Sequence, residues 1–233
     1  ISRLKANGET SMLLSMGDDD FPLHEAAHIV HGNALRMDWN EVVPANQCSF
    51  ILGNPPFYGA RMQSKQQKAE IQDVFHGSKN SGNIDYVAGW YIKAAEYMGN
   101  YPIRAAFVST NSICQGEQVA NVWKPIYDLG VRIDFAHDTF RWRNEATEQA
   151  HVYVVIVGFS KLSGKKTLFH HANPDAHEEV SNPANINAYL AAAPDVFVWN
   201  RSKPLCDVPS IGIGNKPIDG GNYLFKDDEK KAF

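Results

Sequence analysis

The run Asn54-Pro55-Pro56-Phe57 restricts the fold of this chain more than any other stretch. It directly follows the apolar segment Phe50–Gly53, which predicts a β-strand. Two consecutive prolines have fixed φ and no backbone N–H, so the strand must stop there in a stiff loop. The loop offers an amide side chain, carbonyl acceptors and an aromatic ring. Such acceptors suit an exocyclic amino group and the ring suits a planar base, so the loop predicts chemistry on a nucleobase amino group.

The residues around this loop carry a family resemblance. Ile51–Gly59, with the sequence ILGNPPFYG, resembles motif IV of the amino-methyltransferases, DNA enzymes that use S-adenosylmethionine. The form that begins with Asn is similar to the class that methylates N-6 of adenine. The competing interpretation of Asn-Pro-Pro alone is a proline turn closed by a core phenylalanine.

The bulk composition limits the function classes. Of 233 residues, 44% are hydrophobic and 21% charged, which is typical of a globular protein, and the net charge is −4. Because proteins that grip DNA usually show a basic surface, any DNA contact must be local or lie outside this chain. Three scattered cysteines without a CxxC pair favour reduced thiols and a cytoplasmic location. No apolar run is long enough to predict a membrane span.

Strands alternate with helices along the chain, which predicts a doubly wound α/β sheet with helices on both faces. The expected strands are residues 29–35, 50–53, 105–109, 132–136, 151–159 and 166–170. The expected helices are residues 61–75, 85–98, 119–129 (kinked or divided by Pro125) and 182–193. Ligands of such sheets bind at the carboxyl ends of strands, where Asn33 and Asn54 fall.

Both ends of the sequence suggest an excised part of a longer polypeptide. The chain starts at Ile1 without Met and ends in a charged run, residues 226–231. Composition shifts to Gly and Pro from about residue 205, which predicts a domain boundary. We therefore expect one domain over residues 1–204 and the beginning of another over residues 205–233.

Further segments resemble one subgroup, the MmeI-type restriction–modification fusions, which join an endonuclease, an N-6 adenine methylase and a target-recognition domain. The matching segments, in the expected order, are Gly32–Trp39, Asp85–Trp90, Val108–Val119 and Pro209–Leu224. This resemblance implies a partial Rossmann-like class I methyltransferase sheet, followed by the start of a target-recognition domain.

The resemblance also implies catalytic roles for the loop Asn54–Phe57, called the proline loop below. Asn54 and the Pro55 carbonyl match the acceptors of the target amino group. Phe57 matches the aromatic ring that stacks on the base, and Pro56 completes the motif. The implied partner is double-stranded DNA with a flipped adenine.

Cofactor and DNA contacts are implied elsewhere. Asn33, followed by Ala34, matches the position that contacts the adenine of S-adenosylmethionine, although related enzymes often carry Asp there. The residues Thr110-Asn111-Ser112 match the lining of the DNA-facing cleft. Either Phe140 or Trp142 matches a second aromatic that packs on the flipped base, and the irregular spacing leaves both open, as well as core packing for each.

One departure from the family pattern stands out. The Gly-rich loop of motif I and the acidic ribose ligand are absent upstream of Asn33, so the S-adenosylmethionine pocket is expected to be incomplete. Gly212-Ile213-Gly214 lies far downstream and resembles the start of the recognition domain. The two strands that the family places between the Asn33 strand and the Asn54 strand are missing as well, which would leave sheet edges unpaired and predicts dimers, or disorder before about residue 45. The isolated fragment is expected to bind S-adenosylmethionine weakly or not at all and to be inactive as a methyltransferase.

His24-Glu25-Ala26-Ala27-His28 fits HExxH, the signature of zinc metalloproteases. On a helix its two histidines would share one face, but Pro22 and Gly32 leave room for barely two turns. The sequence therefore predicts no metal site. An inactive DNA-binding or structural piece is the remaining alternative.

Overall fold

The computed structural model describes residues 28–78, 80–142, 152–201, 203 and 206–208. Contacts divide the chain into two compact units, Ile1–Phe197 and Val198–Phe233. Every strand and helix named below belongs to the first unit.

Six strands form one mixed sheet. Its strands are β1 (Phe50–Gly53), β2 (Arg104–Thr110), β3 (Arg132–Trp142), β4 (Val152–Ser160), β5 (Thr167–His171) and β6 (Glu178–Ser181). The spatial order is β1-β2-β4-β3-β5-β6. The pairs β1–β2 and β3–β5 are parallel, and the other neighbours are antiparallel. The α/β class predicted from the sequence is therefore confirmed, together with five of the six expected strands.

Three of the four expected helices are present, and a short helix that the sequence did not predict precedes them. The helices are α1 (Trp39–Val42), α2 (Lys65–Val74), α3 (Ala88–Tyr97) and a continuous segment α4, built from Gly116–Gln118, the π-helical Val119–Trp123 and Lys124–Asp128. Pro125 lies at the start of the last piece, directly after the π turn, so the wider turn accommodates the missing N–H. None of the helices described here is long and apolar enough to cross a membrane.

An aromatic cluster joins α3 and α4 to the sheet. Tyr91 is fully buried and stacks on Phe159 of β4 at 5.3 Å between ring centroids. It also meets Phe107 of β2 edge-on at 5.1 Å and Trp123 of α4 at 5.4 Å. Its hydroxyl forms a 2.8 Å hydrogen bond with the Ser109 hydroxyl, so this buried polar atom has a partner.

Two predicted elements are wrong. Residues 29–35 form no strand: Ile29 is 85% exposed, and no described strand pairs with β1 on its outer side. Residues 182–193 form turns instead of a helix. There the Asn187 side chain accepts hydrogen bonds from the N–H groups of Tyr189 and Ala191, and Leu190 adopts a left-handed φ of 58°. Local side-chain hydrogen bonding thus replaces the helical ladder.

The two edges of the described sheet differ in chemistry. On β1, Phe50 is 69% exposed and Leu52 is 78% exposed. On β6, the exposed residues include Glu178 and Glu179. Charged edges resist pairing with another chain, whereas a bare apolar edge invites it.

We therefore expect the 233-residue chain to self-associate through β1. Leu52→Lys should weaken dimerisation at least about tenfold, because burying one Leu contributes roughly 1.5–3 kcal/mol. Sedimentation velocity over a concentration series measures this. The matched control, Val180→Lys on β6, should leave the association unchanged; equal effects of both substitutions would contradict the assignment to β1.

Candidate functional site

The proline loop leaves β1 in a fixed direction. A Cβ on Gly53 would lie 3.2 Å from the ring of Phe107 on β2, so this position favours glycine. Pro55 is buried, Phe57 is partly buried against the core, and Asn54 is exposed. The Asn54 side chain forms no hydrogen bond with any described residue. The loop thus exposes the Asn54 amide without a hydrogen-bond partner among the described residues, while Pro55 and Phe57 pack against the protein.

The residues that follow the loop, from Tyr58 to Gln63, form hydrogen bonds with the segment before α3. The N–H of Tyr86 donates to the Tyr58 carbonyl at 2.9 Å. The buried Gln63 amide donates to the Ile84 carbonyl at 2.8 Å. The loop is therefore held at both of its ends.

Asp85 connects the two loops that the sequence assigned to the site. One carboxylate oxygen accepts the Ala60 N–H at 2.9 Å, just beyond the proline loop. The other accepts the hydroxyl of Ser112, which also hydrogen-bonds the Thr110 hydroxyl at 3.0 Å. Asp85 is only 7% exposed. The sequence analysis gave Asp85 no role of its own; its one signal was its place at the head of Asp85–Trp90, a segment that resembles the family.

The structure brings Thr110, Asn111 and Ser112 next to the proline loop. Because β1 and β2 are parallel, their carboxyl ends meet at one edge of the sheet. The Asn111 amide reaches across to the Thr139 hydroxyl on β3 at 3.5 Å. Residues at or near the carboxyl ends of β1, β2 and β3 therefore lie together at the edge of the sheet that carries the proline loop.

Both candidate second aromatics lie on the same stretch of β3. A register shift between His137 and Phe140 marks an irregularity there, the kind of feature that re-aims side chains. Phe140 packs 5.4 Å from the His171 ring and 6.4 Å from the ring of Trp142. Trp142 is 41% exposed. Both rings therefore remain candidates.

Asn33 lies in a turn, and its amide is already engaged. Its Oδ1 accepts the Leu35 N–H at 2.9 Å, and its Nδ2 donates to Glu70 on α2 at 3.1 Å. The carbonyl of the next residue, Ala34, accepts the indole N–H of Trp39 at 2.8 Å. One lone pair of Oδ1 and the second N–H of Nδ2 remain on the Asn33 side chain for a ligand, because its backbone carbonyl already accepts the N–H groups of Arg36 and Met37.

Glu70 fixes this turn, and sequence reasoning missed it. It is 7% exposed and accepts hydrogen bonds from Tyr86, Arg36 and Asn33. Burial opposes its ionisation, but these donors outweigh burial and lower its pKa. Burial and the neighbouring carboxylate raise the pKa of Tyr86 to about 12, so the phenol remains a donor.

One cleft borders β1, from which the proline loop leaves, and another borders the residues that follow the loop. An apolar cleft of about 360 Å³ lies between the Asn33 turn and β1, and its lining includes Gly32, Ala34, Ile51 and Leu52. A more polar cleft of about 350 Å³ borders the loop's far end, lined in part by Arg61 and Asp85. The first suits a planar apolar group and the second suits polar groups.

Several sequence predictions fall outside the described residues. Four of the five HExxH residues, His24-Glu25-Ala26-Ala27, are among them, as are Gly212-Ile213-Gly214. His28 itself is described: it is not helical, and its Nδ1 lies 3.1 Å from the Val42 carbonyl oxygen. Nothing described supports a helix that would present both histidines.

Two family models match the chain. The model described as "MmeI, DNA-methyltransferase domain" matches residues 1–170. The model described as "MmeI, target recognition domain" matches residues 192–233.

Individual proteins show the same relationship. "DNA methyltransferase A" of Bacillus subtilis (strain 168) is 39% identical over 208 residues, which are 88% of this chain and 23% of that protein. A solved structure of the Type IIL restriction–modification enzyme MmeI in complex with DNA is 45% identical, with a TM-score of 0.83. That match covers 92% of this chain and 29% of the other. The chain thus spans less than a third of the length of either relative.

The Asp85–Ser112 contact should be energetically coupled, because a hydrogen bond to a charged group contributes about 1.5–3 kcal/mol. A double-mutant cycle with Asp85→Ala and Ser112→Ala, measured by urea unfolding, should give a coupling energy in that range. The exposed ion pair His76–Glu96, cycled in the same way, is the control and should couple by less than about 1 kcal/mol. Additive effects at Asp85 and Ser112 would show that the two loops are not joined through this contact.

Proposed function

We propose a function from one premise: this chain belongs to the MmeI DNA-methyltransferase family. The protein containing it transfers a methyl group to the 6-amino nitrogen of adenine in duplex DNA. The observation that carries the proposal is the exposed Asn54 amide on a loop that is held at both ends, beside the Thr110–Ser112 loop.

The amino group of adenine is a poor nucleophile, because its lone pair is delocalised into the ring. Asn54 and the Pro55 carbonyl would each accept one of its N–H bonds. This favours a pyramidal nitrogen whose lone pair points at the incoming methyl. Positioning and preorganised acceptors then provide most of the rate effect, without a covalent intermediate on the protein.

S-adenosylmethionine would supply the methyl group. On this chain the apolar cleft beside Ala34 suits its adenine ring, and the Asn33 turn, fixed by Glu70, forms one wall. The remaining Oδ1 lone pair of Asn33 can accept one hydrogen bond from that ring. The Gly-rich loop and the acidic ribose ligand that the family uses have no counterpart among the motifs of this chain.

The adenine must leave the duplex before it can reach Asn54, which costs a few kcal/mol. Stacking on aromatic side chains returns roughly 1–3 kcal/mol per contact. Phe57 provides one ring, and Phe140 or Trp142 provides the second. Two such contacts offset much of the cost of flipping.

The wider activity belongs to a longer protein, since the chain spans less than a third of its relatives. We infer a division at about residue 204, with residues 205–233 beginning the part that reads the DNA sequence. No observation favours the alternative metalloprotease or a purely structural role.

Asn54→Ala, made in a full-length enzyme that contains this chain, should lower methyl transfer about 10²- to 10³-fold, because one positioned hydrogen bond at the reacting centre is lost. Transfer of tritiated methyl to DNA measures the rate, and a mobility-shift assay should show DNA binding largely intact. Asn182→Ala, which removes an exposed amide that contacts Thr167 at the start of β5, is the matched control and should leave methyl transfer unchanged. Activity of Asn54→Ala within threefold of wild type would exclude the assigned role.

Phe57→Ala should weaken base flipping, whereas Phe57→Tyr and Phe57→Trp should be tolerated, because the base needs a stacking face and not a particular ring. Fluorescence of 2-aminopurine at the target position reports flipping. If the alanine variant gives the wild-type signal, Phe57 serves only the core.

A further inference from the structure

Three residues from distant parts of the sequence meet on one face of the sheet, where β3, β5 and β6 lie side by side. His137 lies on β3, His171 on β5 and Glu178 on β6. His171 and Glu178 are direct cross-strand partners. His137 pairs with Phe169, which lies two residues before His171 and so points to the same face.

The ligand atoms converge. One ring nitrogen from each histidine and one carboxylate oxygen of Glu178 all lie within 4.8 Å of one another. His137 Nδ1 lies 3.4 Å from Glu178 Oε2. Ligands of a tetrahedral zinc ion lie about 3.3 Å apart, so small side-chain movements would close the set. Glu178, whose side chain is 45% exposed, is free to make such a movement.

The His171 ring supplies an independent indication. Both of its nitrogens are shielded from solvent, and neither has a hydrogen-bond partner among the described residues. Leaving a buried polar atom without a partner costs free energy, so native structures rarely contain one. A metal bond to one nitrogen would remove that cost at that atom.

The two imidazoles are also held in place. His137 stacks on Phe169 with 4.0 Å between centroids and only 3° between ring planes. His171 packs 5.4 Å from the Phe140 ring. Fixed rings reduce the entropy lost on binding, as expected for a preorganised site.

We propose that His137, His171 and Glu178 form a binding site for one divalent transition-metal ion. Two imidazoles and one carboxylate are a ligand set that binds Zn²⁺, and the exposed side of Glu178 leaves room for water as a fourth ligand. The ion would cross-link β3, β5 and β6 and so stabilise the position of β3, the strand that carries Phe140. This site does not depend on the proposed function, and it departs from the absence of metal expected from the sequence.

The chain contains a matched control. His170 is adjacent to His171 but points to the opposite face, where its Nδ1 meets Asp138. Replacing His170 therefore removes a histidine from the same strand but none of the proposed ligand atoms, and Asp138 can still accept the His171 backbone N–H at 2.8 Å. His28 tests the HExxH alternative in the same way.

The experiment uses untagged 233-residue chain with Co²⁺ and Zn²⁺ as probes. Wild type, His170→Ala and His28→Ala should each bind one equivalent of Co²⁺ with visible absorption bands, which Zn²⁺ should displace. His171→Ala and the conservative Glu178→Gln should bind at least tenfold more weakly. Zn²⁺ should raise the Tm of the first three proteins and leave that of the last two unchanged.

The outcomes separate the possibilities. Circular dichroism of the metal-free proteins confirms that each variant folds; Glu178→Gln, on an exposed side chain, keeps the test valid if His171→Ala does not. Absence of one-equivalent binding to wild type at micromolar metal would overturn the proposal. Binding that survives both His171→Ala and Glu178→Gln would also overturn it, and loss only in His28→Ala would place the ion at the HExxH segment instead.

Discussion

The packing of one buried phenol holds this structure together. Tyr91 contacts rings from β2, β4 and α4, and its hydroxyl meets Ser109. Because these contacts join two strands and two helices, they set the position of β2 relative to α3. Everything at the carboxyl edge of the sheet depends on that position. Burial raises the pKa of Tyr91 far above its ordinary value, so the hydroxyl stays protonated at this junction.

Two buried carboxylates connect the loops of the candidate site to the helices and to one another through hydrogen bonds. Asp85, three residues before α3, joins the end of the proline loop to Ser112 after β2. Glu70 on α2 accepts hydrogen bonds from Asn33, Arg36 and Tyr86. Neither carboxylate is among the residues proposed to touch the base or the methyl donor. Their role is to keep the loops in place, which matters because positioning is the main contribution to catalysis that we propose.

The outer strands extend this arrangement beyond the central sheet. The irregular part of β3 carries Thr139 and Phe140, and its neighbour β5 carries His171. Thr139 faces Asn111, while His137 faces His171 on β5 and Glu178 on β6. The same strand thus borders the candidate DNA-facing cleft on one side and the proposed metal site on the other. A change in the packing of β5 and β6 would therefore alter the position of the Phe140 ring, which packs on His171.

The sequence by itself determined the features that are local along the chain. Two prolines after an apolar run fixed the end of β1 and the exposed Asn54, and periodicity indicated α2, α3 and most strands, because these depend on backbone sterics and neighbouring side chains. The predicted helix over residues 182–193 was wrong because the Asn187 side chain competes for backbone N–H groups, and the predicted strand over residues 29–35 was wrong because no described strand pairs with it. Only the tertiary structure decided the long-range contacts: Asp85 to Ser112 across 27 positions, Asn33 to Glu70 across 37, and the convergence of His137, His171 and Glu178. Such contacts depend on strand order and register, which no local pattern encodes.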